Sequence, residues 1–111
     1  MTIVRRDLSP KYQLAQTLHA GLQFSLDNFQ QLQKWNKETQ SVVCLSIENE
    51  DKLKALTSTL KGMDVMMSEF YEPDIDNQLT SVAFYAPYEI RKKISSLPLA
   101  LKEVSDMKLS A

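Results

Sequence analysis

One run of seven residues, Ser41 to Ile47, constrains the fold more than any other stretch of the chain. It is apolar on consecutive residues and contains Val42 and Val43. A half-exposed strand would alternate, so this run suits a central strand covered on both faces. Such a strand needs a layer on each side of its sheet, and the flanking segments can supply both. Downstream, Asn49 is an N-cap, with Glu50 and Asp51 at the positive end of the helix dipole. Leu53, Leu56 and Leu60 share a face of this helix, and Gly62 marks its C-terminal stop. Upstream, Ser9 caps a helix with Pro10 at its first position. Its apolar stripe of Leu14, Leu18, Leu22, Ser25, Phe29 and Leu32 runs to near Trp35 and Asn36. Ala15 and Gly21, beside that stripe, permit close approach to a sheet.

Thr2 to Arg6 reads as a short first strand, Met63 to Phe70 as a third and Leu79 to Ala86 as a fourth. The connection from Tyr71 to Gln78 holds Pro73, Asp74, Asp76 and Asn77, which favour turns. It is too short for a crossover helix, so the third and fourth strands are adjacent and antiparallel, or else locally rearranged. Pro87 opens a last helix with Ile90 and Ile94 on its buried side and Arg91, Lys92 and Lys93 toward its end, before Pro98 interrupts it. The tail from Glu103 to Ala111 has no clear period and is expected to be frayed or weakly helical. The order β-α-β-α-β-β-α packs as an α/β fold, a three-layer α/β/α sandwich with a small mixed four-stranded sheet and right-handed βαβ units.

At 111 residues and 43% hydrophobic content, the chain is expected to form one domain over residues 1–111, with no need of disulfide or zinc. The single cysteine, Cys44, lies inside the apolar run, where it acts as a small hydrophobe with no partner to oxidise to. The apolar stretch at the N-terminus precedes its charges, the wrong order for a signal peptide, and no apolar run approaches membrane-spanning length. A cytoplasmic location without membrane attachment is the expectation. A net charge of −1 argues against a surface dominated by nonspecific nucleic-acid attraction, so any RNA site is a local patch. Gly21 and Gly62 are the only glycines, which excludes a glycine-rich phosphate cradle.

His19, the only histidine, lies with Tyr12, Gln16 and Gln23 along a second line of the first helix. A neutral imidazole can act as acid, base or hydrogen-bond orienter, and this one falls near the carboxyl ends of the parallel strands, where open α/β sheets bind ligands. Spacing alone favours the plainer alternative of a histidine flanking the core. Glu69, Glu72, Asp74 and Asp76 gather at the end of the third strand, where carboxylates can orient water but more often solvate a turn. Thr80 can offer its hydroxyl to a substrate, although β propensity also explains a threonine there. Arg5, Arg6 and Lys11 bracket the loop after the first strand and can meet phosphates. Arg91, Lys92 and Lys93 fit a solvated, dipole-matching helix end better. No serine sits in a nucleophile elbow, and one histidine without clustered partners does not make a metal site.

The passage Ile3-Val4-Arg5-Arg6-Asp7-Leu8, followed by Leu14-Ala15-Gln16-Thr17-Leu18-His19-Ala20, resembles the N-terminal signature of type II peptidyl-tRNA hydrolases. In that family an arginine and Asp-Leu end the first strand, and Ala-Gln, two residues and His-Ala follow on the helix. Looser similarity extends through Thr80 to Phe84 and Pro87 to Leu97-Pro98-Leu99. The resemblance implies a small α/β/α sandwich, hydrolysis of the ester joining peptide to tRNA, no cofactor, a catalytic or orienting role for His19 and a substrate contact for Thr80. Two features depart from the family. Tyr12 stands at the spacing of the family's lysine, with Lys11 displaced by one, and Ser68-Glu69-Phe70-Tyr71-Glu72-Pro73 replaces its Asp-Ala-Gly-x-Thr segment. Glu69 and Glu72 are then the candidates to stand in for the missing aspartate, with Arg5, Arg6 and Lys11 holding tRNA phosphate. The alternative is a catalytically silent relative that binds RNA or a protein. Peptidyl-tRNA and a second copy of the chain, as a homodimer, are the partners in view.

Overall fold

The computed structural model describes residues 1–101. The tail expected to be frayed, Glu103 to Ala111, lies outside the described residues. The elements follow in the order β1 (Thr2–Arg5), α1 (Pro10–Asp27), α2 (Phe29–Glu38), β2 (Cys44–Ile47), α3 (Glu50–Gly62), β3 (Met67–Glu72), a 3₁₀ turn (Pro73–Ile75), β4 (Gln78–Phe84) and α4 (Tyr88–Lys93). Ser9 caps α1 by accepting from the Tyr12 amide, and Asn49 caps α3 by accepting from the Lys52 amide, both as their sequences dictate. The long first helix of the sequence reading is two helices. Asn28, at φ −134°, leaves the helical region and ends α1 with its amide on the Phe24 carbonyl. Helix α3 ends at Gly62, as its sequence indicates, and Asp64, at φ 58°, takes the left-handed position two residues later.

Among the described residues the strands form one mixed sheet in the order β2-β1-β4-β3, with β1 and β2 parallel and the other two pairs antiparallel. The central strands are β1 and β4. The run Ser41 to Ile47 is therefore not a central strand: only Cys44–Ile47 pairs, at the edge, and Ser41, Val42 and Val43 are exposed. Its burial has another source, because the chain after Pro98 covers the open edge. The Ser46 amide donates to the Pro98 carbonyl at 2.8 Å, and the Ala100 amide to the Cys44 carbonyl at 2.9 Å. Leu99 bridges antiparallel to Leu45. An exposed edge is a pairing hazard, and this short strap blunts it. Cys44, expected inside a covered strand, is half-buried and free.

The two faces of the sheet differ chemically. On one, Ile3, Leu45, Ile47, Leu79, Val82 and Phe84 pack against Leu53 and Leu60 of α3 and Ile90 and Ile94 of α4, forming the apolar core. On the other, α1 covers β1, β3 and β4 with Gln13, Gln16 and Ala20 as its buried residues. The leucine stripe expected to face the sheet faces solvent instead. Leu14, Leu18, Leu22 and Leu26 are 66, 63, 56 and 79% exposed. At about 100° per residue they lie roughly opposite Gln13, Gln16 and Ala20 on the helix. A line at i, i+4 identifies a helix without saying what meets it; hydrogen bonds, described below, decide which face is inside.

This inversion predicts opposite sensitivities in denaturant unfolding. Leu18→Gln and Leu22→Gln should each change stability by less than about 0.5 kcal/mol, whereas Leu53→Ala, on α3 and fully buried, should cost about 2–5 kcal/mol.

Candidate functional site

A β-bulge organises the α1 face. Phe70 pairs with Ser81 and Tyr71 with Leu79, so Thr80 is an extra residue in β4. Consecutive strand residues ordinarily point to opposite faces. The bulge instead turns both Thr80 and Ser81 toward α1, where both bond to Gln16. The Thr80 hydroxyl donates to Gln16 Oε1 at 2.6 Å, and the Ser81 hydroxyl donates to the Gln16 carbonyl at 2.6 Å. Gln16 Nε2 in turn donates to Glu72 Oε1 at 2.8 Å. Thr80, Gln16 and Glu72 are all buried, at 0, 1 and 8% exposure. A polar chain this far from water requires its partners, and each bond here supplies one.

Glu72 keeps a second carboxylate oxygen. Oε2 takes no hydrogen bond from the described residues, yet it is not among the fully enclosed polar atoms. His19, one helical turn beyond Gln16, is exposed, and its ring stacks on Phe70 with centroids 4.4 Å apart and planes 2° from parallel. Phe70 and Glu72 are two residues apart on β3, about 7 Å along the strand, so imidazole and carboxylate share the face at the junction of α1 and β3. Ser68, two residues the other way, donates to Asp27 Oδ2 at 2.7 Å and fastens the end of α1 to the same strand.

The other sequence candidates disperse. Glu69 bonds to the Lys61 ammonium of α3 and accepts from the Tyr71 hydroxyl, so it lies with the opposite face and away from His19. Thr80, expected to offer its hydroxyl to a substrate, is fully enclosed and gives it to Gln16. Asp74 and Asp76 are exposed in the turn. Arg5, expected at phosphate, is 7% exposed and turned inward. It donates to both oxygens of Asp7, to Gln78 Oε1 at 2.9 Å and to the Leu79 carbonyl at 3.2 Å. It clamps the end of β1 to the start of β4. Arg6 approaches Glu48 at 3.7 Å, while Lys11 is exposed at the start of α1. Among the described residues no three His, Cys, Asp or Glu side chains gather as metal ligands. Gln16 is the organising residue that the candidate set lacked. Its signal was present, since it sits beside Ala15 in the quoted motif and one turn before His19.

Removing the link should be costly. Gln16→Leu removes the partner of Glu72 Oε1 and leaves the Thr80 hydroxyl only the longer 3.4 Å bond to the Phe70 carbonyl, and should lower unfolding free energy by about 1–3 kcal/mol. The Arg5 guanidinium, chiefly through its hydrogen bonds, holds the Asp7 carboxyl below the ordinary aspartate range. A depressed folded value gives stability that is complete above the unfolded pKa, about 3.9, and lost as pH falls through the folded one. Denaturant melts across pH 2–6 should therefore show an acid limb that is shallower in Asp7→Asn.

The family model for peptidyl-tRNA hydrolase PTH2 matches residues 1–102. No curated protein matches the chain. That span takes in β1, the Ala15-Gln16 and His19 positions of α1, the bulge of β4 and the strap at β2. No helix among the described residues is long and apolar enough to cross a membrane. With the match covering nearly the whole of its 111 residues, the chain belongs to the peptidyl-tRNA hydrolase PTH2 family.

Proposed function

We propose that the protein hydrolyses the ester between a peptide and tRNA, with Glu72 and His19 as its reacting side chains, on one domain spanning residues 1–111. The observation that carries this reading is the Glu72 carboxylate, held by Gln16 at one oxygen, with no hydrogen bond from the described residues at the other, on the strand face where the exposed His19 ring stacks on Phe70. The free oxygen accepts a proton from water as the water oxygen attacks the ester carbonyl carbon. The bond from that carbon to the ribose oxygen then breaks, and the ribose leaves as a hydroxyl by taking a proton from the His19 imidazole, which is restored by the proton Glu72 accepted, so both side chains end as they began. Gln16 and Thr80 act through Glu72, by fixing where its carboxylate points. Lys11 and Arg6 are the cations placed to meet phosphate, because Arg5 is engaged internally. The chemistry needs no cofactor, and the cytoplasm, where the substrate is made, is the fitting location.

A second reading has its own observation. The exposed leucine line of α1 is continued by Phe29, 59% exposed, at the start of α2. Fifteen consecutive residues from Tyr12 to Leu26 carry no Asp, Glu, Lys or Arg. Interface cores are depleted of charge in this way, which favours a protein-interaction role, with or without turnover; a homodimer is one form of it.

Release of labelled peptide from peptidyl-tRNA decides between them. The hydrolase reading predicts turnover by the wild type, with Glu72→Gln lowering kcat by about a hundredfold to ten-thousandfold and Glu69→Gln leaving it unchanged. Equal rates for wild type and Glu72→Gln would remove Glu72 from the chemistry. No release by the wild type, together with loss of partner binding in Leu18→Glu, would establish the interaction role instead.

A further inference from the structure

A second hollow, independent of the hydrolase reading, lies at the other end of α1. Its volume is about 360 Å³, within the range of small-molecule sites. It is bounded by the second half of α1, by α2, by the segment leading into β2 and by the bottom of β1 and β4. Phe24, Trp35 and Tyr85 give it aromatic walls, and Val42 and Val43 leave it open on the solvent side. Gly21 lines it as well, and a Cβ built there meets nothing within 4 Å.

The polar groups around the hollow are unequal. The Trp35 indole N–H donates to the Ser41 carbonyl, and the Ser25 hydroxyl to the Gly21 carbonyl, so both are satisfied within the chain. Thr2 is not. It is 7% exposed, and its hydroxyl oxygen is buried without a hydrogen-bond partner among the described residues. Thr2 shares the α1 side of β1, since Ile3 beside it belongs to the opposite, apolar face. A stranded hydroxyl in an otherwise apolar chamber is a cost that a ligand hydrogen bond removes. Arg91 is the only charged side chain in the lining, and it makes no ion pair among the described residues.

We propose that this hollow binds a small carboxylic acid with an aromatic or branched apolar body. The apolar walls take the body, the Arg91 guanidinium pairs with the carboxylate through two parallel N–H bonds, and the Thr2 hydroxyl takes a polar atom of the body. Two cations meet the lining: the Met1 ammonium is partly buried, donates to the Phe84 carbonyl and has its pKa lowered by burial, which leaves the Arg91 guanidinium as the group to pair with a monoanion; a phosphate dianion calls for more donors.

Trp35 is the only tryptophan of the chain and lines the hollow, so its emission reports occupancy. Phenylacetate and N-acetylphenylalanine, titrated onto the full chain, should change that emission saturably, and each should bind at least tenfold tighter than its neutral amide. Arg91→Gln should abolish the preference for the acid. Thr2→Val should weaken N-acetylphenylalanine severalfold while raising the melting temperature, a pair of opposite effects that a merely structural threonine does not give. Gly21→Leu, which fills open space, should fold cooperatively and bind nothing. Amide shifts in ¹⁵N-labelled protein should cluster at Thr2, Gly21 and Val43. The proposal is overturned if no probe gives a saturable change, if amides bind as well as acids, or if Arg91→Gln keeps the preference.

Discussion

The side chain of Gln16 is the hinge between sequence and architecture. Its oxygen receives the Thr80 hydroxyl, its nitrogen reaches Glu72, and its backbone carbonyl receives the Ser81 hydroxyl. These bonds run through a layer whose buried residues are largely polar, which reverses the usual division of labour in a small α/β sandwich. Hydrophobic burial is concentrated on the α3 and α4 side of the sheet. On the α1 side, small residues such as Ala20 and Ala83 allow close approach, and hydrogen bonds select the orientation. Net stability from such bonds is modest, but the penalty for leaving any one of them unmade is large. That asymmetry is what holds α1 in one rotational setting with its leucines outside.

The same bonds set where the Glu72 carboxylate points. An extra residue in β4 costs regular pairing at one position and brings two successive hydroxyls onto one face. One hydroxyl orients the amide of Gln16, and the amide orients the carboxylate. The family's aspartate segment is absent from this chain, yet a carboxylate from the rebuilt end of β3 stands under the helix that carries His19. The match to the peptidyl-tRNA hydrolase PTH2 family spans all of these residues.

Most elements were legible because they carry local signals. Ser9-Pro10 and Asn49 mark helix starts, and Pro73 to Asn77 marks the turn that makes β3 and β4 antiparallel neighbours. Orientation was not legible. The leucine spacing of α1 is identical whether the line meets a sheet or stays open, and a buried glutamine shows only when its partners 56 and 64 residues away are in place. Placing Ser41 to Ile47 at the centre of the sheet failed for a related reason. A continuous apolar run does not tell a central strand from an edge strand whose approach, Ser41 to Val43, is exposed and whose open edge is covered by a strap such as residues 98–100. Of the residues at the junction of α1 and β3, His19 was named through its motif, and Glu72 together with Glu69. Only the pleat separates those two, since positions three apart on a strand face opposite layers. Arg5 read as a free cation because sequence does not reveal that Asp7 and Gln78 enclose it.

The central claim is that the Gln16 amide is locked between β4 and β3. Hydrogen exchange of side-chain amides, read by NMR on ¹⁵N-labelled protein, observes that group itself. The account predicts Gln16 Nε2 protons protected by orders of magnitude relative to the exposed Gln30 and Gln33, with the protection lost in Thr80→Val and Glu72→Leu. Exchange at Gln16 as fast as at those exposed glutamines would contradict it.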